Sequence, residues 1–212
     1  MKTDDLIVAL TADAGSVSPP IKRTLWLAAG IGAIGAAILF FSILGPRPNL
    51  AASLGEPRFL FKWLLTLTLV ASAMVLVLRL ARPETVPSDK FLALVAAPAL
   101  LAVGIAAELI SFPSSDWMRN MVGSNALVCM VFIPMLSGLP LAALIYALRQ
   151  GAPAQPVLAG AVAGLAAAGI GAALYATHCQ DDSPLFMAVW YVIAVAIVAL
   201  AGAVLGARLL RW

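Results

Sequence analysis

The chain has 212 residues, 63% of them apolar and 11% charged, with 13 Lys and Arg against 10 Asp and Glu, and a mean hydropathy of +1.02. Soluble domains run at roughly 45–50% apolar and 25% charged, so the composition excludes an ordinary water-soluble globule. Six membrane crossings at about 20 residues each would take about 120 residues, which leaves no room for a separate catalytic domain. The net charge of +3 comes from basic residues scattered singly between apolar runs, a topogenic pattern rather than a nucleic-acid surface.

The first 24 residues are polar and form a tail. Within it Thr3 is placed as an N-cap, Asp4 and Asp5 fall in the first turn, and Leu6, Ile7 and Leu10 share one face, which predicts a short amphipathic helix. About ten residues make too short a helix to stand alone in water. The segment is therefore expected to be disordered, to lie on the membrane or to fold on a partner. Its acidic start disfavours anionic lipid, which leaves capture of a partner through Asp4, Asp5, Leu6, Ile7 and Leu10 as the functional reading.

Six apolar runs follow: Leu25 to Leu44, Phe61 to Leu80, Phe91 to Phe112, Ser124 to Leu148, Ala154 to His178 and Leu185 to Leu210. Pro and Gly cluster between them, at Gly45-Pro46-Arg47-Pro48, Arg82-Pro83, Pro113, Gly151 to Pro156 and Pro184, where helices should stop. Backbone polar groups in lipid must be paired within the segment, so runs of this length should be helical. The expected fold is all-α, a polytopic membrane bundle of six transmembrane helices over residues 25–212. The first run begins too late, and lacks the A-x-A site, for a cleaved signal peptide.

Lys and Arg divide nine to four between the two sides of such a bundle. Lys2, Lys22, Arg23, Arg79, Arg82, Lys90, Arg149, Arg208 and Arg211 share one side, and Arg47, Arg58, Lys62 and Arg119 the other. Basic residues are retained in the cytoplasm. Both termini are therefore expected to be cytoplasmic, with loops near 45–60, 113–123 and 179–184 in the periplasm of a bacterial inner membrane. Small residues at four-residue spacing, in Ala28-Gly32-Ala36, Gly160-Gly164-Ala168-Ala172 and Gly202-Gly206, let helix backbones approach closely. They are expected to pack the bundle rather than a dimer seam.

Chemistry concentrates at the periplasmic end. Cys129 falls inside the outer end of the fourth run, and Cys179 follows His178 at the outer end of the fifth. The pair could be a fixed structural disulfide, two unrelated buried thiols, or a switch. As a switch, it could use thiol–disulfide exchange, or capture of a thiophilic metal helped by His178 and by Met118, Met121, Met130 and Met187. For the fourth run to meet Cys179, either Cys179 must dip into the bundle or the helix must kink at Pro134. Asp181 and Asp182 read first as part of a solvated loop, with a second reading in which they bind a cation or fix the tautomer of His178. Glu108, near the outer end of the third run, is expected to snorkel, with Lys62 or Arg119 as partner.

The sequence carries no C-x-x-C, no H-E-x-x-H and no Gly-rich phosphate loop, and has one histidine. An enzyme is not expected, and no cofactor is implied. A small-solute or metal-ion transporter is the alternative, although Pro98, Pro134 and Pro140 interrupt their runs with no charge beside them.

Three stretches are similar to NrsF-type proteins, membrane anti-sigma factors that negatively regulate sigma F. They are Met1-Lys2-Thr3-Asp4-Asp5-Leu6-Ile7, the Arg47-Pro48-Asn49-Leu50 loop with Pro57 and Lys62, and His178-Cys179-Gln180-Asp181-Asp182-Ser183-Pro184-Leu185-Phe186 running on to Trp190-Tyr191. Cys129 with Ile133-Pro134 fits too. Asn49 and Gln180 depart from the pattern, which has Asp and Pro there. The resemblance implies sequestration of an extracytoplasmic-function sigma factor at the membrane until an outside signal arrives. The family's cysteine pair would fall on Cys129 and Cys179, and its sigma contact on residues 1–24. Double replacement of the cysteines by Ser is then expected to spare sigma binding and abolish the response.

Overall fold

The computed structural model describes residues 3, 20–83 and 88–211. The partner-contact residues read from the tail, Asp4, Asp5, Leu6, Ile7 and Leu10, lie outside the described residues. Six helices are long and apolar enough to cross a membrane, and no strand occurs among the described residues.

Proline sets most of the helix starts, because it fixes φ at a helical value and its missing N–H falls where no intrahelical acceptor exists. Helix α1 (Ile21–Ile43) opens directly after Pro20. It thereby takes in four residues expected in the tail; Lys22 and Arg23 extend the helix past the hydrocarbon because their long stems carry the charge outward. A single turn, α2 (Leu50–Ser53), precedes α3 (Pro57–Leu80), which has Pro57 at its first position and so includes Arg58 and Lys62. A 3-10 segment (Ser88–Val95) leads into α4 (Ala96–Ser111).

The segment expected as a loop near 113–123 is instead a nine-residue helix, α5 (Ser114–Val122), with no buried residue. Trp117 and an Asp116–Arg119 pair at 3.3 Å give it the composition of an interfacial helix. Gly123, at φ +58°, ends it. Helix α6 (Ala126–Leu148) carries Pro134 and Pro140 within its length, and α7 (Pro156–Ala176) begins on Pro156. The last span, α8 (Pro184–Leu209), starts with the Ser183 side chain accepting from Leu185 N–H and widens to a π-turn over Met187–Tyr191.

Helix α7 is the most enclosed span and α4 the least. α7 packs against α3, α6 and α8, and α1 packs on α6. Glycine makes these crossings close. A Cβ at Gly164 would stand 2.6 Å from the Val198 carbonyl oxygen of α8, and one at Gly32 2.5 Å from Cα of Pro140 in α6. Gly160 lies so near Gly202 and Gly206 that no side chain fits between them. The small-residue spacing thus serves contacts within the bundle, as expected. Two buried apolar clusters result. One is built from residues such as Leu25, Met74, Leu144 and Ala163 towards the end bearing the termini, and the other from Phe40, Cys129, Ile133, Tyr175, Cys179, Phe186 and Tyr191 towards the opposite end.

Candidate functional site

The seven residues from Thr177 to Ser183 join α7 to α8; the N–H groups of Thr177, His178 and Cys179 still bond back to the last turn of α7, and the rest of the segment lies outside regular helix. A polar group buried without a partner costs free energy, so this segment must be satisfied by its neighbours. It finds partners in almost every element at that end of the bundle.

Thr177 accepts at its carbonyl from Arg47 N–H at 3.0 Å. His178 Nδ1 lies 2.9 Å from the Gly45 carbonyl. A carbonyl can only accept, so Nδ1 carries the proton, and the tautomer is set by Gly45 rather than by Asp181 or Asp182. The Cys179 carbonyl accepts from Lys62 Nζ at 3.1 Å and from Arg47 Nη1 at 3.3 Å. Asp181 Oδ2 accepts from the backbone N–H groups of Ser124 and Asn125 at 3.0 and 2.8 Å. It therefore caps α6 with a carboxylate at the positive end of the helix dipole. Asp182 pairs with Arg47 at 2.8 Å and with Lys62 at 2.5 Å. Ser183 Oγ donates to Glu108 Oε1 at 3.0 Å.

The aspartates are therefore partly exposed but not free, as a solvated loop would leave them. Asp182 neutralises two cations that the bundle would otherwise bury alone, and Asp181 caps the partly exposed start of α6. Glu108 likewise does not snorkel: it is 3% exposed and pairs with Arg58 at 2.7 Å, a contact made with neither Lys62 nor Arg119. Asn120 of α5 also donates to it at 3.0 Å. The Arg58 guanidinium lies 4.0 Å from the Phe112 ring centroid, and that of Arg47 4.4 Å from Phe59, so both cations are packed on aromatic faces as well as paired.

The two thiols lie in one buried cluster with Tyr175, Phe186, Met187 and Tyr191, and both are free. Cys129 is the fourth residue of α6 and its N–H bonds to the Asn125 carbonyl at 2.8 Å. It is thus only about 4.5 Å from the helix start at 1.5 Å per residue, shallower than the sequence suggested, because the helix begins at Ala126 rather than Ser124. Cys179 lies inward as well: it is fully buried, and its Sγ lies 3.8 Å from the Asp181 carbonyl. Burial pushes the Cys179 thiol above its ordinary pKa, and the nearby Lys62 ammonium pulls it back only in part. Among the described residues no group of three or more His, Cys, Asp and Glu is placed to hold a metal ion.

Sequence reasoning named Cys129, Cys179, His178, Asp181 and Asp182, and the structure brings all five to one end of the bundle. It did not name Arg47 and Lys62 as partners of Asp182, nor Arg58 as the partner of Glu108. The available signal was charge in apolar surroundings: Lys62 sits five residues into α3, among Phe59, Leu60, Phe61, Trp63 and Leu64, where an unpaired ammonium would be costly.

The sequence model for the family described as "Negative regulator of sigma F" matches residues 10–212. A protein of Azospira oryzae named "Probable anti-sigma-F factor NrsF" is 36% identical over 214 residues, with the whole of both chains covered. One of Caulobacter vibrioides named "Anti-sigma-F factor NrsF" is 36% identical over 215 residues, again with both chains covered in full. No solved structure matches the chain. A single-unit bundle of membrane-length helices, aligned from end to end with two anti-sigma factors and along nearly all its length with the family, belongs to the NrsF family of negative regulators of sigma F.

Proposed function

We propose that this protein is a bacterial inner-membrane anti-sigma factor that sequesters an extracytoplasmic-function sigma factor and releases it on a periplasmic signal sensed by Cys129 and Cys179. Family membership supports the anti-sigma role. The observation that carries the sensing is the placement of Cys179. It lies in a connecting segment tied to Arg47, Lys62, Glu108, Ser124 and Asn125 together, and its thiol shares a buried cluster with Cys129. A change at this thiol is therefore felt by several helices at once.

In the redox form of the signal, two thiols close to a disulfide and pass two electrons and two protons to the oxidant. Residues 1–24 hold the sigma factor on the cytoplasmic side, with Asp4, Asp5, Leu6, Ile7 and Leu10 as the contact. Inverting an occupancy from 99:1 to 1:99 takes about 5.5 kcal/mol of differential stabilisation. For a two-electron couple this equals about 120 mV between the two bundle states, within the reach of one disulfide. No cofactor takes part.

Replacing both Cys129 and Cys179 by Ser tests the sensing. The double variant should co-purify with the sigma factor as the wild type does, while a sigma-dependent reporter no longer responds to oxidant or thiophilic metal. Normal induction in that variant would sink the cysteine switch.

A further inference from the structure

We infer that Arg47, Lys62 and Asp182 are positioning residues that hold the backbone of Cys179 in its resting place and hand its displacement to α1 and α3. The inference rests on the reading of Cys179 as part of the signal input. It extends that reading from where the signal enters to how it leaves.

The carbonyl of Cys179 is held by two cations from different elements, Lys62 in the second turn of α3 and Arg47 in the loop that follows α1. Both cations also share one carboxylate, that of Asp182. Lys62 is fully buried and Arg47 5% exposed. The group therefore holds two positive charges against one negative, and the Cys179 carbonyl dipole supplies part of the missing negative field. Buried charges are stable only while such partners stay in place. When Cys179 moves, both cations lose an acceptor together and must find another arrangement.

The geometry gives that rearrangement two routes. Arg47 is fixed on several sides, by its N–H to the Thr177 carbonyl, its guanidinium to Asp182 and its stacking on Phe59, so it cannot yield alone. It lies four residues beyond Ile43, the end of α1, whose other end leads into the tail. Lys62 stands on α3, which runs on to Arg79 at the opposite end. Packed helices of this kind switch between discrete arrangements rather than deforming gradually, so a shift at Cys179 reappears as a shift at the far ends of α1 and α3.

The test is a sigma-dependent reporter with the full-length protein in its native membrane, carrying Lys62→Met or Arg47→Lys, each in the wild-type and in the Cys129→Ser, Cys179→Ser background. Lys62→Met should raise reporter output without any oxidant by about fivefold or more, the lower range of ordinary allosteric couplings. It should do so to the same extent in the cysteine-free background, because the three residues act after the thiols. Arg47→Lys keeps the charge but gives up the forked guanidinium and its stacking on Phe59, and should derepress in the same direction as Lys62→Met but to a smaller extent. In the Cys129→Ser background Lys62→Met should also speed alkylation of Cys179 by N-ethylmaleimide. A purely electrostatic role for Lys62 would slow that reaction, since losing the ammonium disfavours the thiolate.

Full repression by a Lys62→Met protein present at wild-type level in the membrane would overturn the inference. So would derepression that vanishes in the cysteine-free background, or slower alkylation. If Lys62→Met fails to accumulate, Lys62→Gln, which keeps a donor but no charge, carries the same expectations. The cysteine reading fails separately, by normal induction in the double serine variant with Lys62→Met still derepressing.

Discussion

Asp182 and Glu108 are both carboxylates in buried pairs, but their loss leaves different things behind. Asp182 is the shared counter-ion of Arg47 and Lys62, which are 5% and 0% exposed. Without its charge both cations remain buried and cannot reach water. Arg58, the partner of Glu108, has about a third of its side chain exposed and can turn outward, while Asn120 and Ser183 can still bond an amide at position 108. Asp182→Asn is therefore expected to cost about 3–5 kcal/mol, as for removing one partner of a buried pair. Glu108→Gln should cost about 1.5 kcal/mol, the low end for losing one hydrogen bond to a charged group. The thermal midpoints of the two variants in the same detergent check the order; equal losses would show that Arg47 and Lys62 reach solvent after all. None of this pairing is legible locally. Asp182 lies 135 positions from Arg47, and a charge run in a Ser-Pro-bounded segment looks the same in sequence whether it faces water or caps α6.

At the scale of the element the sequence is far more transparent, and the reason is physical. A membrane span is written in one contiguous run of apolar residues, so all six spans fall within four residues of the expected ends. Proline at 57, 156 and 184 marks three starts directly. Helix α5 escaped because nine residues with Asp116, Arg119 and Asn120 carry too little apolar signal to separate an interfacial helix from a loop. The π-turn at Met187–Tyr191 escaped because hydrophobic periodicity does not register a single inserted residue. Close crossings, in contrast, were visible as glycine spacing. Where a Cβ at Gly164 would meet the Val198 carbonyl and the backbone of Ala199, the obstacle is main chain that cannot turn aside. Gly164→Leu should therefore separate α7 from α8 and lower the thermal midpoint. The cost should be larger than the about 1–3 kcal/mol typical of overpacking against side chains. Gly30→Leu, where an added Cβ meets nothing within 4 Å, is the matched control and should be neutral. Equal stability of the two would refute the close crossing.

The whole molecule sets a chemical asymmetry between its two ends. Three of the four basic residues at the cysteine end, Arg47, Arg58 and Lys62, are matched by Asp182 and Glu108 inside the protein. The basic residues described at the end bearing the termini, Lys22, Arg23, Arg79, Arg82, Arg149, Arg208 and Arg211, form no ion pair among the described residues. Lys and Arg orient a bundle by their number on each side, with little weight for acids, so the nine-to-four division stands whether or not the cations at the cysteine end are paired. With an even number of spans both termini share a side, and from the nine-to-four division we propose that this side is the cytoplasm. On that proposal the tail, which precedes α1 in sequence, lies on the side where a sigma factor is met, and Arg47 follows the other end of α1. Deleting residues 2–15 should release the sigma factor without any signal, while α1 and its flanking Lys22 and Arg23 still insert the bundle in the same orientation. Reporter output should match that of a strain lacking the protein, and a fluorescent protein fused after Trp212 should remain bright in the cytoplasm. Undiminished co-purification of the sigma factor with the truncated protein would move the contact elsewhere, to the loop between Arg79 and Lys90. A dark carboxy-terminal fusion would reverse the orientation and place the cysteines on the wrong side for a periplasmic signal.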